Sequence, residues 1–352
     1  MKNFRQLIIG LAIAAFAVYF TFRNVSMKEL MDSFKTVQYV YLIPAALFSI
    51  ATYVGRAYRW QVLVSPLKQV RVWDMFSPLM VGFMGNILPA RAGEVLRAYL
   101  LGKKQNISFT GAVATIVVER MFDLLMLLLL FAWVLIFHGD AFNSNAGWGG
   151  ISLRDMAFKF GILCSGLIAF LIAFVYMVVY HNGRMLGLVR SLLKFLPEKW
   201  SGKVVHVVET FSQGLLVARD FAALGKIMIY SLATWLFIVL SYLPYYWAYD
   251  IQNISVESLL ILVVMVCILI TVLPTPAFLG SFQAGVLIAL HEIMREPEVM
   301  AVSFGMVAWA VNFVVLVAMG VYFILHDHLS VTQLVEVEEE GEAVLEGKSP
   351  NP

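Results

Sequence analysis

Residues 299–326 read VMAVSFGMVAWAVNFVVLVAMGVYFILH, without one Lys, Arg, Asp or Glu. A run of this kind constrains a chain more than any motif does, because about 20 apolar residues in a helix cross the roughly 30 Å hydrocarbon core of a bilayer. Comparable runs occupy about 6–22, 39–60, 108–137, 157–181 and 225–249. The sequence therefore predicts an all-α, polytopic integral membrane protein with about six full spans. Composition agrees, at 61% hydrophobic, 14% charged and mean hydropathy +0.83, where soluble domains carry about a quarter charged residues. The alternation expected of a membrane β-barrel is absent. Lys2 and Arg5 precede the apolar run Leu7–Phe22 as in a signal peptide, but Tyr19-Phe20-Thr21-Phe22-Arg23 stands where small residues would mark cleavage. The first helix is therefore expected to be retained.

Two other apolar segments, 72–104 and 256–294, carry proline where a membrane helix should be continuous. In the first, Pro89 is followed by Gly93; in the second, Pro274 and Pro276 are followed by Gly280 and Gln283. Proline removes a backbone donor and breaks the helix. At membrane depth the freed backbone groups survive only when buried in protein or facing a wet cavity. Broken segments in corresponding positions of two halves point to a transporter's midplane site. Pro89, Gly93, Pro274, Pro276, Gly280 and Gln283 are accordingly candidate gate or hinge residues.

Loop charge orients the chain. Residues 61–107 contain Lys68, Arg71, Arg91, Arg97, Lys103 and Lys104, and 182–226 contain Arg184, Arg190, Lys194, Lys199, Lys203, Arg219 and Lys226. The positive-inside rule places both regions in the cytoplasm. Segments 138–156, 250–257 and 291–298 are poor in Lys and Arg and face outside, while Arg23, Lys28 and Lys35 dissent. With these assignments 72–104 enters and leaves on the cytoplasmic side and 256–294 on the outer side. Two re-entrant hairpins follow, and two inverted repeats: 1–137 and 157–326, with 138–156 an external loop. Eight ordinary spans, each motif forming half of a kinked helix, are the alternative. Both termini are expected in the cytoplasm of a cell with the protein in its plasma or inner membrane. Residues 184–221 form a basic amphipathic stretch, read either as an interfacial helix or as a solvated connector. The tail 327–352, rich in Glu, is expected to be disordered.

Charge inside the spans is costly, at least about 2.5–3.5 kcal/mol per residue at the bilayer centre. It gathers in the first half, at Arg56 and Arg59, at Arg91, Glu94 and Arg97, and at Glu119, Arg120 and Asp123. Arg91, Glu94 and Arg97 are three apart and share a helix face after Pro89, and Glu119 and Asp123 share one by the four-residue rule. The two carboxylates call for arginine from another segment. About five arginines against three carboxylates leave positive charge suited to phosphate through forked hydrogen bonds. Arg56, Arg59, Asn86, Arg91, Glu94, Arg97, Glu119, Arg120 and Asp123 are thus candidate substrate-binding residues, with Arg91 and Arg97 foremost. The opposing readings are ion pairs that only fix helix packing and, for Arg56 and Arg59, snorkelling to the interface.

Elsewhere the signals are weaker. Tyr242, Tyr245, Tyr246, Trp247 and Tyr249 surround Pro244 and read as an interfacial aromatic belt or as a platform for a lipid tail or sugar. Cys164 and Cys267 lie in apolar runs without ligand spacing. The sequence contains no Walker loop, paired-histidine metal motif or nucleophile triad, so neither enzyme, metal nor cofactor is expected, and no nucleic-acid partner.

In combination, Asn86-x-x-Pro89-x-Arg91-x-Gly93-Glu94-x-x-Arg97, Glu119-Arg120-x-x-Asp123 and Pro274-x-Pro276 with Gly280-x-x-Gln283 resemble the flippase-like transmembrane domain of the lysylphosphatidylglycerol synthase family. The likeness extends from about residue 5 to 326. It implies a domain that moves a phospholipid or a polyprenyl-phosphate-linked lipid between leaflets. The acidic tail stands where the two-part synthases carry an aminoacyl-transferase domain, so lipid lysylation is not expected. The family's second break runs Pro-Gly-Gly-x-Gly with a following Glu, whereas this chain has Pro276-Ala277-Phe278-Leu279-Gly280 and Gln283. That departure removes a carboxylate that would serve cation coupling or a cationic head group. A membrane-embedded lipid-linked sugar transferase and a non-transporting partner of an envelope-lipid enzyme are the competing functions.

Overall fold

A computed structural model describes residues 2–87, 93–138, 147–148, 151–181, 209–273 and 275–329, with isolated positions 187, 191 and 205. Pro89, Arg91, Pro274, most of the amphipathic stretch and the tail from 330 lie outside the described residues. The described residues are helical nearly throughout: α1 (Lys2–Phe22), α2 (Met27–Thr36), α3 (Leu42–Val64), α4 (Val72–Gly85), α5 (Gly93–Gln105), α6 (Phe109–His138), α7 (Leu153–Tyr180), α8 (Phe221–Ala248), α9 (Val256–Val272), α10 (Ser281–Leu287) and α11 (Glu298–His326). A two-residue antiparallel pair, Gly147–Trp148 with Ile151–Ser152, precedes α7. Six described stretches are long and apolar enough to cross a membrane: 39–64, 109–137, 161–178, 221–248, 276–293 and 298–326.

Local sequence sets several boundaries. Ser26 and Glu29 form a reciprocal capping box at the start of α2, and hydrogen bonds donated by the Ser26 hydroxyl and amide lower the Glu29 pKa. Asp220 accepts from the amides of Ala222 and Ala223, at 2.9 and 3.2 Å, to start α8. Ser255 and Ser258 cap α9 in the same reciprocal way.

The two broken segments are short helices laid against each other. α4 and α5, with 14 and 13 residues, are each about 20 Å long at 1.5 Å per residue, less than the hydrocarbon thickness. They pack together, as do α9 and α10. The window 276–293 is itself broken. It comprises a 3-10 turn at Pro276–Phe278, a left-handed Gly280 (φ +85°), the seven residues of α10 and a π-helical turn at Ile288–Ile293.

Packing contacts fall into matched sets. α3 meets α4, α6 and α11; α8 meets α9, α11 and α6; α4 meets α11 and α9 meets α6; α5 meets α6 and α10 meets α11. Interchanging α3–α6 with α8–α11 maps each contact onto another. At the centre α3 and α8 pack most closely, with Gly55 against Thr234: a Cβ at Gly55 would lie 2.7 Å from the Thr234 Oγ1. Small residues at such crossings let membrane helices approach.

Two expectations are corrected by packing. Tyr242, Tyr245 and Tyr246 do not form an interfacial belt; they are buried at 6%, 1% and 0% exposure, with Tyr245, Tyr246 and Tyr249 around Phe304. Only Trp247 of that cluster is exposed, beside Tyr41. The tail also begins later than expected. Asp327 takes the Lys104 ammonium at 2.7 Å and Leu329 N–H donates to the Ile324 carbonyl, so 327–329 dock on the end of α5 and α11.

Candidate functional site

The charged residues of the first half converge on α6. Glu119 and Asp123, one turn apart, face α3, and Arg59 reaches both, with Nη2 3.0 Å from Glu119 Oε1 and Nη1 2.7 Å from Asp123 Oδ1. The Arg59 Nη1 also donates to the Ser231 hydroxyl of α8 at 3.2 Å. Arg97, from α5, holds the other oxygen of Glu119 through Nη2. Glu119 is therefore clamped between two arginines from different helices, and Arg59, Arg97 and Glu119 are 0–1% exposed. Neither Arg59 nor Arg56 snorkels. Arg56 Nη1 turns inward to 3.5 Å from Asp123 Oδ2 and 4.0 Å from Glu119 Oε1.

Aromatic rings support the guanidinium groups. The Arg97 carbon Cζ lies 3.7 Å from the centroid of Trp60 and 5.6 Å from that of Phe83, and Arg56 lies 5.3 Å from Phe83. Cation–π contact of this kind is worth up to about 2 kcal/mol when desolvated. Trp60 is itself fixed by its Nε1–H bond to the Thr115 hydroxyl, 3.0 Å.

A second layer lies nearer the surface. Arg120 donates to Glu94 through Nη2 and to Asp123 Oδ2 through Nη1, the latter at 2.9 Å. Its side chain is 37% exposed and that of Glu94 29%. Glu94 Oε2 sits 3.9 Å from Arg97 Nη1, and neither atom has a hydrogen-bond partner among the described residues, nor do Arg59 Nε and Arg97 Nε. Four guanidinium groups against three carboxylates leave one positive charge here, Arg91 lying outside the described residues. Beside Arg120 and Glu94, a cavity of about 250 Å³ opens between α5, α6 and α7, walled by apolar side chains including Val95, Ile116, Val117 and Leu171.

The glycines of the first break permit this closeness. A Cβ on Gly93 would fall 1.9 Å from the Gly82 carbonyl oxygen and 2.6 Å from Asn86 Oδ1, so α5 can begin against α4 only with glycine there. Asn86 caps the end of α4, and its Oδ1 is buried without a hydrogen-bond partner among the described residues.

The second break is neutral and differently built. Ala277 and Phe278 hold left-handed backbone, φ +51° and +59°, at about 1–3 kcal/mol each. The Trp309 Nε1–H anchors the Ala277 carbonyl at 2.9 Å, and Thr275 and Ser281 exchange a 2.8 Å hydrogen bond across the turn. Gln283, 2% exposed, accepts the Gly280 N–H at 2.7 Å. Gly280 itself sits on α1, where a Cβ would lie 2.8 Å from that of Ala17. Pro276 opens the 3-10 turn. Trp60, Phe83, Ser231 and Trp309 had no signal in the sequence, since each looks like an ordinary apolar-span residue until its partner is known.

The sequence profile described as "Lysylphosphatidylglycerol synthase TM region" matches residues 7–320. Glycosyltransferase AglD of Haloferax volcanii is 23% identical over 352 residues, covering 95% of this chain and 56% of that protein. A UPF0104 membrane protein of Methanothermobacter thermautotrophicus is 26% identical over 290 residues, 79% of this chain and 81% of the relative. A second UPF0104 membrane protein, from Methanocaldococcus jannaschii, is 48% identical over 50 residues, 14% of this chain and 21% of the relative. No solved structure gives a significant match.

Proposed function

Because the chain belongs to the lysylphosphatidylglycerol synthase transmembrane-region family, we propose that it is a lipid translocase whose charged centre receives the phosphate of a lipid head group. The observation that carries this reading is the net-positive cluster of Arg56, Arg59, Arg97 and Arg120 on α3, α5 and α6. Arg120 lies about 17 Å along α6 at 1.5 Å per residue, well inside a stretch long and apolar enough to cross a membrane. Charge at that depth marks substrate pathways, and guanidinium groups bind phosphate in forked geometry. Matched contacts between α3–α6 and α8–α11 support two structural repeats, and the short α4/α5 pair supports a re-entrant hairpin. Inverted repeats of this kind move a substrate by rocking one half against the other around a fixed site. The lipid is a phospholipid or a polyprenyl-phosphate-linked lipid, the membrane the plasma or inner membrane, and both termini are cytoplasmic.

The test is leaflet exchange. Purified protein in liposomes is given fluorescent phosphatidylglycerol, phosphatidic acid and polyprenyl phosphate in turn, and the outer-leaflet label is quenched with dithionite. Exchange of at least one of them well above that of protein-free liposomes is expected; exchange at the protein-free rate for all would sink the proposal. A second reading is favoured by the relative named a glycosyltransferase: a membrane-embedded transferase for lipid-linked sugar. Incubation with nucleotide-sugars and lipid phosphates, followed by mass spectrometry, separates the two. A new glycolipid lost in Glu94→Gln would favour catalysis.

A further inference from the structure

We propose that the cavity between α5, α6 and α7 is the seat of a lipid phosphate ester, and that the phosphate engages Arg120 by displacing Glu94, which then moves onto Arg97. This rests on the phosphate-lipid reading above and adds to it a place, an exchangeable ion pair and a destination for the displaced carboxylate.

The ion pairs are not equivalent. Arg59 and Arg97 grip Glu119 inside the protein, at 0–1% exposure, where a head group reaches neither without dismantling the helix crossing. Breaking a buried pair of that kind is strongly destabilising. Arg120 and Glu94 stand at the cavity instead, 37% and 29% exposed. The cavity walls beyond them are Val95, Ile116, Val117 and Leu171, a surface without charge that suits an acyl or prenyl chain. Leu171 sits between Phe170 and Ile172, which are 66% and 55% exposed on α7. An apolar outer face of this kind meets lipid in a membrane. The cavity is thus apolar, with the Arg120–Glu94 ion pair at its edge, an arrangement that would seat a lipid chain in the cavity and its phosphate beside Arg120.

Glu94 has somewhere to go. Its Oε2 and the Arg97 Nη1 are both buried, both lack a hydrogen-bond partner among the described residues, and lie 3.9 Å apart. A shift of about 1 Å joins them in an ordinary ionic hydrogen bond. Leaving Arg120 therefore costs Glu94 little, because it gains on Arg97 what it loses. A phosphate arriving at Arg120 adds its negative charge to a centre of four guanidinium groups and three carboxylates, and so meets the one positive charge left over there. Asp123 stays on Arg120 Nη1 throughout and fixes the guanidinium plane.

The experiment reads binding and needs no transport. A photoreactive benzoylphenylalanine in place of Leu171 is introduced into the full chain in nanodiscs and offered radiolabelled phosphatidic acid or, as control, diacylglycerol of the same chains. Crosslinking to phosphatidic acid at least tenfold above diacylglycerol is expected, competed by unlabelled phosphatidic acid and not by millimolar inorganic phosphate; competition by inorganic phosphate alone would identify a free-anion site and overturn the lipid assignment. Arg120→Gln should lower the crosslink at least tenfold, and Glu94→Gln should raise the apparent affinity about three- to tenfold because the competing carboxylate is gone. Loss of affinity in Glu94→Gln equal to that in Arg120→Gln, with both variants monodisperse, would overturn the exchange. If Glu94→Gln does not fold, Glu94→Asp serves: it keeps the competing charge and should bind within about threefold of the parent, and a gain or loss beyond that contradicts the exchange. Crosslinking as expected without leaflet exchange overturns translocation alone; leaflet exchange without crosslinking at 171 overturns this site alone.

Discussion

Arg97 lies with its guanidinium carbon 3.7 Å from the centre of the Trp60 ring while its Nη2 holds Glu119. One side chain thereby joins the first helix after the Pro89 break to both α3 and α6. Lysine could supply the charge, but not the planar fork or the stacking face. Arg97→Lys should lower the melting temperature of the purified protein, and Trp60→Leu should lower it further by also removing the Nε1–H bond to Thr115. In a double-mutant cycle the two changes should couple by more than about 0.5 kcal/mol, as contacting residues do. Additive effects would show that the ring does not support the guanidinium.

Glu119 neutralises two buried arginines at once. Replacing it by Gln leaves Arg59 and Arg97 facing each other across an uncharged amide, and loss of one partner in a buried pair costs about 3–5 kcal/mol. Glu119→Gln should therefore unfold at markedly lower temperature or fail to give monodisperse protein in detergent. Asp123→Asn, at a 13% exposed side chain, should be milder. Equal stability of Glu119→Gln and the parent would contradict the clamp.

Gly93 starts α5 with its Cα facing the Gly82 carbonyl, where a methyl would lie at 1.9 Å. Because the obstacle is backbone, no rotamer change relieves it. Gly93→Ala should destabilise by at least about 3 kcal/mol, the upper range for overpacking, and should abolish lipid binding. Gly166→Ala, inside α7 with nothing within 4 Å, is the matched control and should melt at or slightly above the parent.

At the second break, the left-handed Ala277 and the Trp309 anchor make opposite expectations. Ala277→Gly removes the steric penalty of positive φ and should stabilise by about 0.5–1 kcal/mol. Trp309→Phe removes the donor to the Ala277 carbonyl and should destabilise by about 0.5–1.5 kcal/mol through loss of a partly buried hydrogen bond. Thermal unfolding monitored by tryptophan-independent circular dichroism reads both.

Asp327 gives the protein an acid-sensitive fastening. Partial burial by itself would raise its pKa; hydrogen bonds from Lys104, Ser77 and His326, with the Lys104 charge, outweigh that and hold it at about 2. A carboxyl whose folded pKa is depressed stabilises fully above its unfolded value near 4, and that stability fades as pH falls from about 4 toward 2. The melting temperature of the parent should therefore drop more steeply over that interval than that of Asp327→Asn. Parallel curves would remove Asp327 from the account of acid stability.

Much of this centre is legible in the chain because desolvated charge is expensive. Arg59, Glu119 and Asp123 could sit in an apolar helix only by finding one another, and the spacing of Glu119 and Asp123 fixed the shared face that Arg59 reaches. The ranking of the arginines was not legible. Arg97, foremost by its nearness to Pro89, is enclosed, while Arg120 is the most accessible of the four described arginines of the centre, a distinction set by which helices pack over each. The buried tyrosines were not legible for a related reason: aromatic residues near a helix end suit an interface, and the residues that enclose them, Phe304 and Met294 among them, come from distant segments. Trp309, 32 residues from the carbonyl it holds, leaves no local trace.

The measurement that bears most directly on a lipid-phosphate translocase is the rate of leaflet exchange for fluorescent phosphatidic acid in liposomes holding the parent protein or Arg120→Gln, at equal protein density and with melting temperatures within 3 °C as the folding criterion, roughly 1 kcal/mol for a chain above 150 residues. Exchange at least tenfold faster than in protein-free liposomes for the parent, and a loss of most of that acceleration in Arg120→Gln, is the expected result. Equal acceleration by both proteins, or none by either, would contradict the assignment of the charged centre to the moving head group.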